Sequence, residues 1–129
     1  MSQALRPPRL IARAPSSAVY FQICHGADWN DCAQLRELGV PINLTGCGIE
    51  LVIRPTYEDP IRLASLTSGA GDILFDDPLT GKFQIYWEVG KVNLLPAGRW
   101  VHVMRLTKAG EDREICRGPF EILPARYEL

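Results

Sequence analysis

The chain has little of what usually makes chemistry legible. Histidine occurs only twice in 129 residues, and the four cysteines, Cys24, Cys32, Cys47 and Cys116, form no Cys-x-x-Cys pair, so neither a zinc ribbon nor a redox motif is spelled out. The cysteines read as reduced thiols. Charge of one sign is also missing: 14 Lys and Arg stand against 15 Asp and Glu, and a formal charge of −1 gives nucleic acid or an anionic membrane no general attraction. No apolar run approaches the roughly 20 residues of a membrane-spanning helix, and the start lacks the charged-then-apolar order of a secretory signal. Synthesis in a cytoplasm is therefore expected. Internal repeats and low-complexity tracts are absent, which sets repeat architectures aside.

What remains is turns and alternation. The length suits one domain with a single core of ordinary size. Residues 1–17 hold Pro7, Pro8 and Pro15 among small and basic residues, with Arg6, Arg9 and Arg13 and no acid in the first fifteen positions. Such a composition neither propagates a helix nor pairs continuously in a sheet, and it reads as an extended arm. From residue 18 to 129 the pattern is that of strands. Val19, Phe21 and Ile23 alternate with polar neighbours up to His25 and Gly26. The segment Gly39 to Gly46 is a pair of turns around a short apolar stretch, followed by alternation from Gly48 to Arg54. Further short strands read over 61–66 and 72–76. Phe83, Ile85, Trp87 and Val89 form the clearest apolar face, and Trp100 to Thr107 carries apolar residues on both faces, as a central covered strand does. A closing strand runs from Arg113 to Leu123, with a bulge or kink expected at Gly118 and Pro119. The segment 28–38 is open between a short helix and a strand, because Trp29, Cys32, Leu35 and Leu38 fall at three- and four-residue spacings. Seven or so short strands with a turn every eight to twelve residues describe a sandwich.

The candidate chemical groupings are thin. Cys24 and His25 with His102 could supply a thiolate and an imidazole, but adjacent strand residues point to opposite faces, so neighbourhood in sequence gives no hydrogen bond. Asp72, Asp76 and Asp77 gather three carboxylates without the alternating ligands and the glycine of a calcium loop, and turn chemistry around Pro78 and Gly81 accounts for them. The glycine-rich corners at 45–48 and 68–71 lack the lysine and following helix of a phosphate loop. Trp87 shares its face with Phe83 and Ile85 and reads as core. Trp29 stays open as a contact or sugar platform, with Tyr57 as a second exposed aromatic. No catalytic residue, cofactor or metal ligand emerges.

Five marks in order carry a resemblance. Gln22 to Trp29 is a loosened Gln-Gly-Ala-aromatic turn; Gly39-Val-Pro-Ile-Asn-Leu-Thr-Gly46 leads into a strand ending at Arg54. Gly81, Phe83 and Ile85 then precede a Leu95-Pro-Ala-Gly98 corner with Trp100, and Gly118, Phe120 and Ile122 finish. This order, over about residues 18 to 124, resembles a family of small bacteriophage and prophage virion proteins, related in layout to the N-terminal domains of phage baseplate proteins. Asn43 stands where the family usually has Asp. The resemblance implies an all-β, immunoglobulin-like antiparallel β-sandwich behind the N-terminal arm, with a strand over 28–38. It implies a structural role at the tail, baseplate or fibre attachment, with capsid or neck decoration as an alternative and a carbohydrate-binding module as a further one. The implied partners are other virion proteins and copies of the same chain, not nucleic acid or membrane, in a virion assembled in the host cytoplasm. It does not imply an enzyme. Arg6, Pro7, Pro8 and Arg9 of the arm, with Trp29, are the candidate partner contacts.

Overall fold

Period-two alternation becomes paired strands wherever one face can be buried. The computed structural model describes residues 9–12 and 17–125, with side chains from Ala18 onward. Among these are the strands β1 (Arg9–Ala12), β2 (Ser17–Ala18), β3 (Phe21–Cys24), β4 (Trp29–Glu37), β5 (Val40–Pro41), β6 (Gly48–Arg54), β7 (Ala64–Thr67), β8 (Ile73–Asp77), β9 (Lys82–Trp87), β10 (Gly98–Lys108) and β11 (Glu111–Leu123). One helical turn, α1 (Val89–Val92), and a 3-10 turn over Pro78–Thr80 complete the described elements. The first sheet runs β1-β4-β9-β8 with β5 also on β4; the second runs β2-β11-β10-β6-β7 with β3 also on β11. The result is the expected all-β, immunoglobulin-like sandwich. Its body is antiparallel, whereas β1 on β4 and both β2 and β3 on β11 are parallel.

The core lies between the sheets. Phe21, Leu35, Leu51, Ile53, Phe83, Ile85, Met104, Phe120 and Ile122 are all buried there, each supplied by alternate positions of its strand. Val89 does not continue the face of Phe83, Ile85 and Trp87: it is 37% exposed, because the chain leaves the sheet at Trp87 and turns into α1. β10 lies between β11 and β6 and is covered on both sides. Its outward Val103 faces Val52 of β6, and both are buried; on the same side the Tyr57 ring of the 55–63 loop lies 4.6 Å from the Arg117 guanidinium.

One open reading is resolved and others are corrected. The segment 28–38, left between a helix and a strand, is the strand that the resemblance implies, with Trp29, Asp31, Ala33 and Leu35 turned inward and Cys32 outward. The helical spacing misleads because the inward position 31 carries a carboxylate, which accepts a hydrogen bond from Trp29 Nε1 at 3.4 Å. The bulge in the closing strand falls at Ile115, between the pairs Met104–Cys116 and Arg105–Glu114, and not at Gly118-Pro119. There the partner of β11 changes from β2 to β3, so the missing N–H of Pro119 falls between two ladders. Last, within the extended arm expected over residues 1–17, Arg9–Ala12 pairs with Ala33–Arg36 in the sheet, where no pairing was expected.

Candidate functional site

The contact candidates from the sequence do not converge. Arg6, Pro7 and Pro8 lie outside the described residues. Arg9 opens β1, its backbone paired opposite Ala33. Trp29 is only 4% exposed: its ring packs edge-on against Phe21 at 5.5 Å and Phe120 at 5.3 Å between centroids. An indole held by two phenylalanines from other strands has no face for a partner or a sugar, so Trp29 is a core residue. Tyr57 has one ring face covered by Arg117.

The polar groups weighed for chemistry are engaged in structure. His25 Nε2 lies 2.5 Å from Leu95 O, and His102 Nε2 lies 2.7 Å from Val19 O. His102 is fully buried beside Phe21, and not partly exposed as a strand histidine would be. Val19 O passes so close to β11 that a Cβ on Gly118 would collide with it, which is why glycine stands there. Cys24 Sγ is within 3.6 Å of Pro124 O, and burial pushes the Cys116 thiol up to about 12. All four cysteines remain thiols. Asp72 is turned inward, accepting from Trp87 Nε1 at 3.1 Å with Lys91 Nζ at 3.6 Å, while Asp76 and Asp77 are exposed. Among the described residues no three metal-type side chains gather.

The surfaces are more informative than any cluster. The outer face of the second sheet is charged and paired: Arg62–Glu50 at 3.1 Å, Arg117–Glu114 at 2.7 Å, Arg105–Asp112 at 3.6 Å and Arg99–Glu121 at 3.9 Å. Beside the last pair, Tyr20 donates to Glu121 at 2.5 Å, holding that carboxyl below its ordinary range and the phenol above its own. The outer face of the first sheet is different. Gln84 donates to Asn30 at 2.7 Å across β9 and β4, flanked by Cys32, Tyr86 and the exposed Leu74. On β4, β8 and β9 the outward charges are Arg36, Lys82, Asp76 and Asp77, away from the Asn30–Gln84 pair, while Asp31 is turned inward. Depletion of charge with an aromatic and an aliphatic on show is the composition of an interface centre. No sequence signal marks it, because the face is assembled from three strands.

No family model and no curated protein matches the chain. Among solved structures it is similar to the N-terminal domain of phage TP901-1 ORF48, at 15% identity and a TM-score of 0.51, covering 92% of this chain and 98% of that one. At that identity the likeness shows the fold, and it does so over nearly the whole of both chains.

Proposed function

We propose that the protein is a structural component of a bacteriophage particle, at the tail or baseplate or where a fibre attaches, acting through contacts with other virion proteins and with copies of itself and without catalysis. The observation that carries this is the near-complete mutual coverage with a phage protein domain. It joins the five ordered sequence marks, whose resemblance to a phage virion family implies the same class. Support also comes from the uneven surface: an ion-paired, well-solvated face on one side and a charge-poor face of Asn30, Gln84, Tyr86 and Leu74 on the other. A solvated ion-paired face gains little from burial, since its charges must lose water first. The charge-poor face is the one this reading turns toward the particle. Purified particles from the phage or prophage that encodes the chain should contain it, counted against the major shell protein by quantitative mass spectrometry. A tail or baseplate component is present in a few symmetric rings, whereas shell decoration needs on the order of hundreds of copies. Absence from the particle would overturn the proposal, and shell-like copy number would move it to the capsid.

A further inference from the structure

We infer that the end of the sandwich carrying the β4–β5 hairpin is a self-association site, where Leu38 of one copy seats in a pocket lined by Ile42, Cys47 and Leu106 of a second copy, which returns the same contact. The inference begins with a local misfit. Glu37 and Val40 are paired, so Leu38 and Gly39 form a two-residue connection with φ of 53° and 80°. That turn prefers Asn-Gly, and leucine is strained in the left-handed region. The same leucine is 86% exposed, and Val40 is 64% exposed. A large apolar residue that violates both its backbone preference and its burial preference at one position has its compensation elsewhere.

A matching hollow lies nearby. Ile42, Cys47 and Leu106 line a cavity of about 90 Å³, with Asn43, Lys108, Glu111 and Arg113 around them. That is the space of roughly three waters, close to the bulk of one branched four-carbon side chain. Leu38 does not fill the hollow of its own chain, since it stands out in solvent. Yet Ile42 follows it by four residues, so knob and hollow share one end of the molecule, within roughly 14 Å along the chain. A two-fold contact needs this: both halves of the complementary pair must sit on one patch. The charges agree with it, because Arg36 and Glu37 flank the knob while Lys108, Arg113 and Glu111 rim the hollow. Opposite signs can therefore meet at both repeats of the contact.

One side chain seated in one small hollow on each copy is a contact at the low end of interfaces that hold. Weak dimerisation is expected from the protein alone, strengthened where a particle holds copies side by side. The inference rests on the assembly reading only for its use in a particle. It is tested on the purified whole chain, so its failure leaves the particle assignment standing.

Sedimentation of the wild type from about 10 μM to about 1 mM should show a concentration-dependent dimer. Leu38→Asn suits the turn and so keeps the fold, and it should weaken dimerisation at least tenfold. Cys47→Phe, which fills the hollow, should do the same, with the fold of each variant checked by its thermal midpoint. An equal mixture of the two should form a heterodimer tighter than either variant's homodimer and weaker than the wild type, since one of its two contacts keeps both knob and hollow. A monomer throughout the range, a dimer unchanged in Leu38→Asn, or a mixture no more associated than the separate variants overturns the inference.

Discussion

Gly118 shows how a single atom can decide the join between two strands. Its absent side chain lets the Val19 carbonyl pass against β11 and reach His102 Nε2 at 2.7 Å. Gly118→Ala must push that carbonyl away, disturbing a buried hydrogen bond and the Phe21 packing beside it. A loss on the order of 2–3 kcal/mol is expected in urea titration. Gly90, in α1 with nothing within 4 Å of an added Cβ, is the control. Gly90→Ala should be neutral or stabilise by up to about 1 kcal/mol. Cys116 offers a second test. Burial raises its thiol from 9.0 to about 12, so the folded form holds the proton after the unfolded chain has released it. Its contribution is therefore complete below about pH 9 and is lost as pH rises toward 12. Stability should fall with pH across that window in the wild type and fall less in Cys116→Ala. Iodoacetamide at pH 8 should label the half-buried Cys24, Cys32 and Cys47 well before Cys116. Equal labelling of all four in the folded protein would contradict the burial.

Strands were legible where their two faces differ and obscure where a polar residue crosses to the inside. β9 announces itself because Phe83, Ile85 and Trp87 alternate with exposed or half-buried neighbours, and β6 and β10 do so by apolar runs bounded by turns, Val52 and Val103 being buried on the outer side as well. β4 does not, since Asp31 and Gln34 are buried while Cys32 is half-exposed. Its identity depends on Trp87 and Phe83 across the ladder, which a local window does not contain. The misplacement of Trp29 has the same origin: the rings that enclose it come from β3 and β11. β1 was invisible for a different reason, because pairing Arg9–Ala12 with β4 is a backbone event between distant segments. Leu35 uses its N–H on Gly81 O and its carbonyl on Ile42 N, so the neighbouring Gln34 and Arg36 direct their backbone groups toward β1. Removing residues 2–15 should leave the sandwich folded while accelerating hydrogen exchange at Gln34 and Arg36, with Leu35 unchanged. Equal protection in the truncated and full chains would remove β1 from the sheet.

The sandwich presents two broad faces of unlike chemistry, and a particle contact has to choose between them. Docking the ion-paired face would desolvate Arg62–Glu50, Arg117–Glu114, Arg105–Asp112 and Arg99–Glu121 together, a cost that mutual attraction repays only with good geometry. Docking the other face covers amides that keep spare donors and acceptors for a partner, together with Leu74 at 49% and Tyr86 at 39% exposure. Leu74→Glu and Tyr86→Glu each place a charge on that face without touching the core, so the thermal midpoint should stay within a few degrees of the wild type. Burying an unpaired carboxylate against a partner costs several kcal/mol, enough to reduce incorporation into particles at least a hundredfold. Arg99→Ser and Arg117→Ser on the opposite face should leave incorporation near normal, since their ion pairs are exposed. Particle content measured for the four variants thus reads out the orientation of the domain. If the two arginine variants are lost from particles and the two glutamate variants are retained, the charged face is the one that docks. The hairpin contact through Leu38 would be untouched by either result, because it lies at the end of the sandwich and not on its faces.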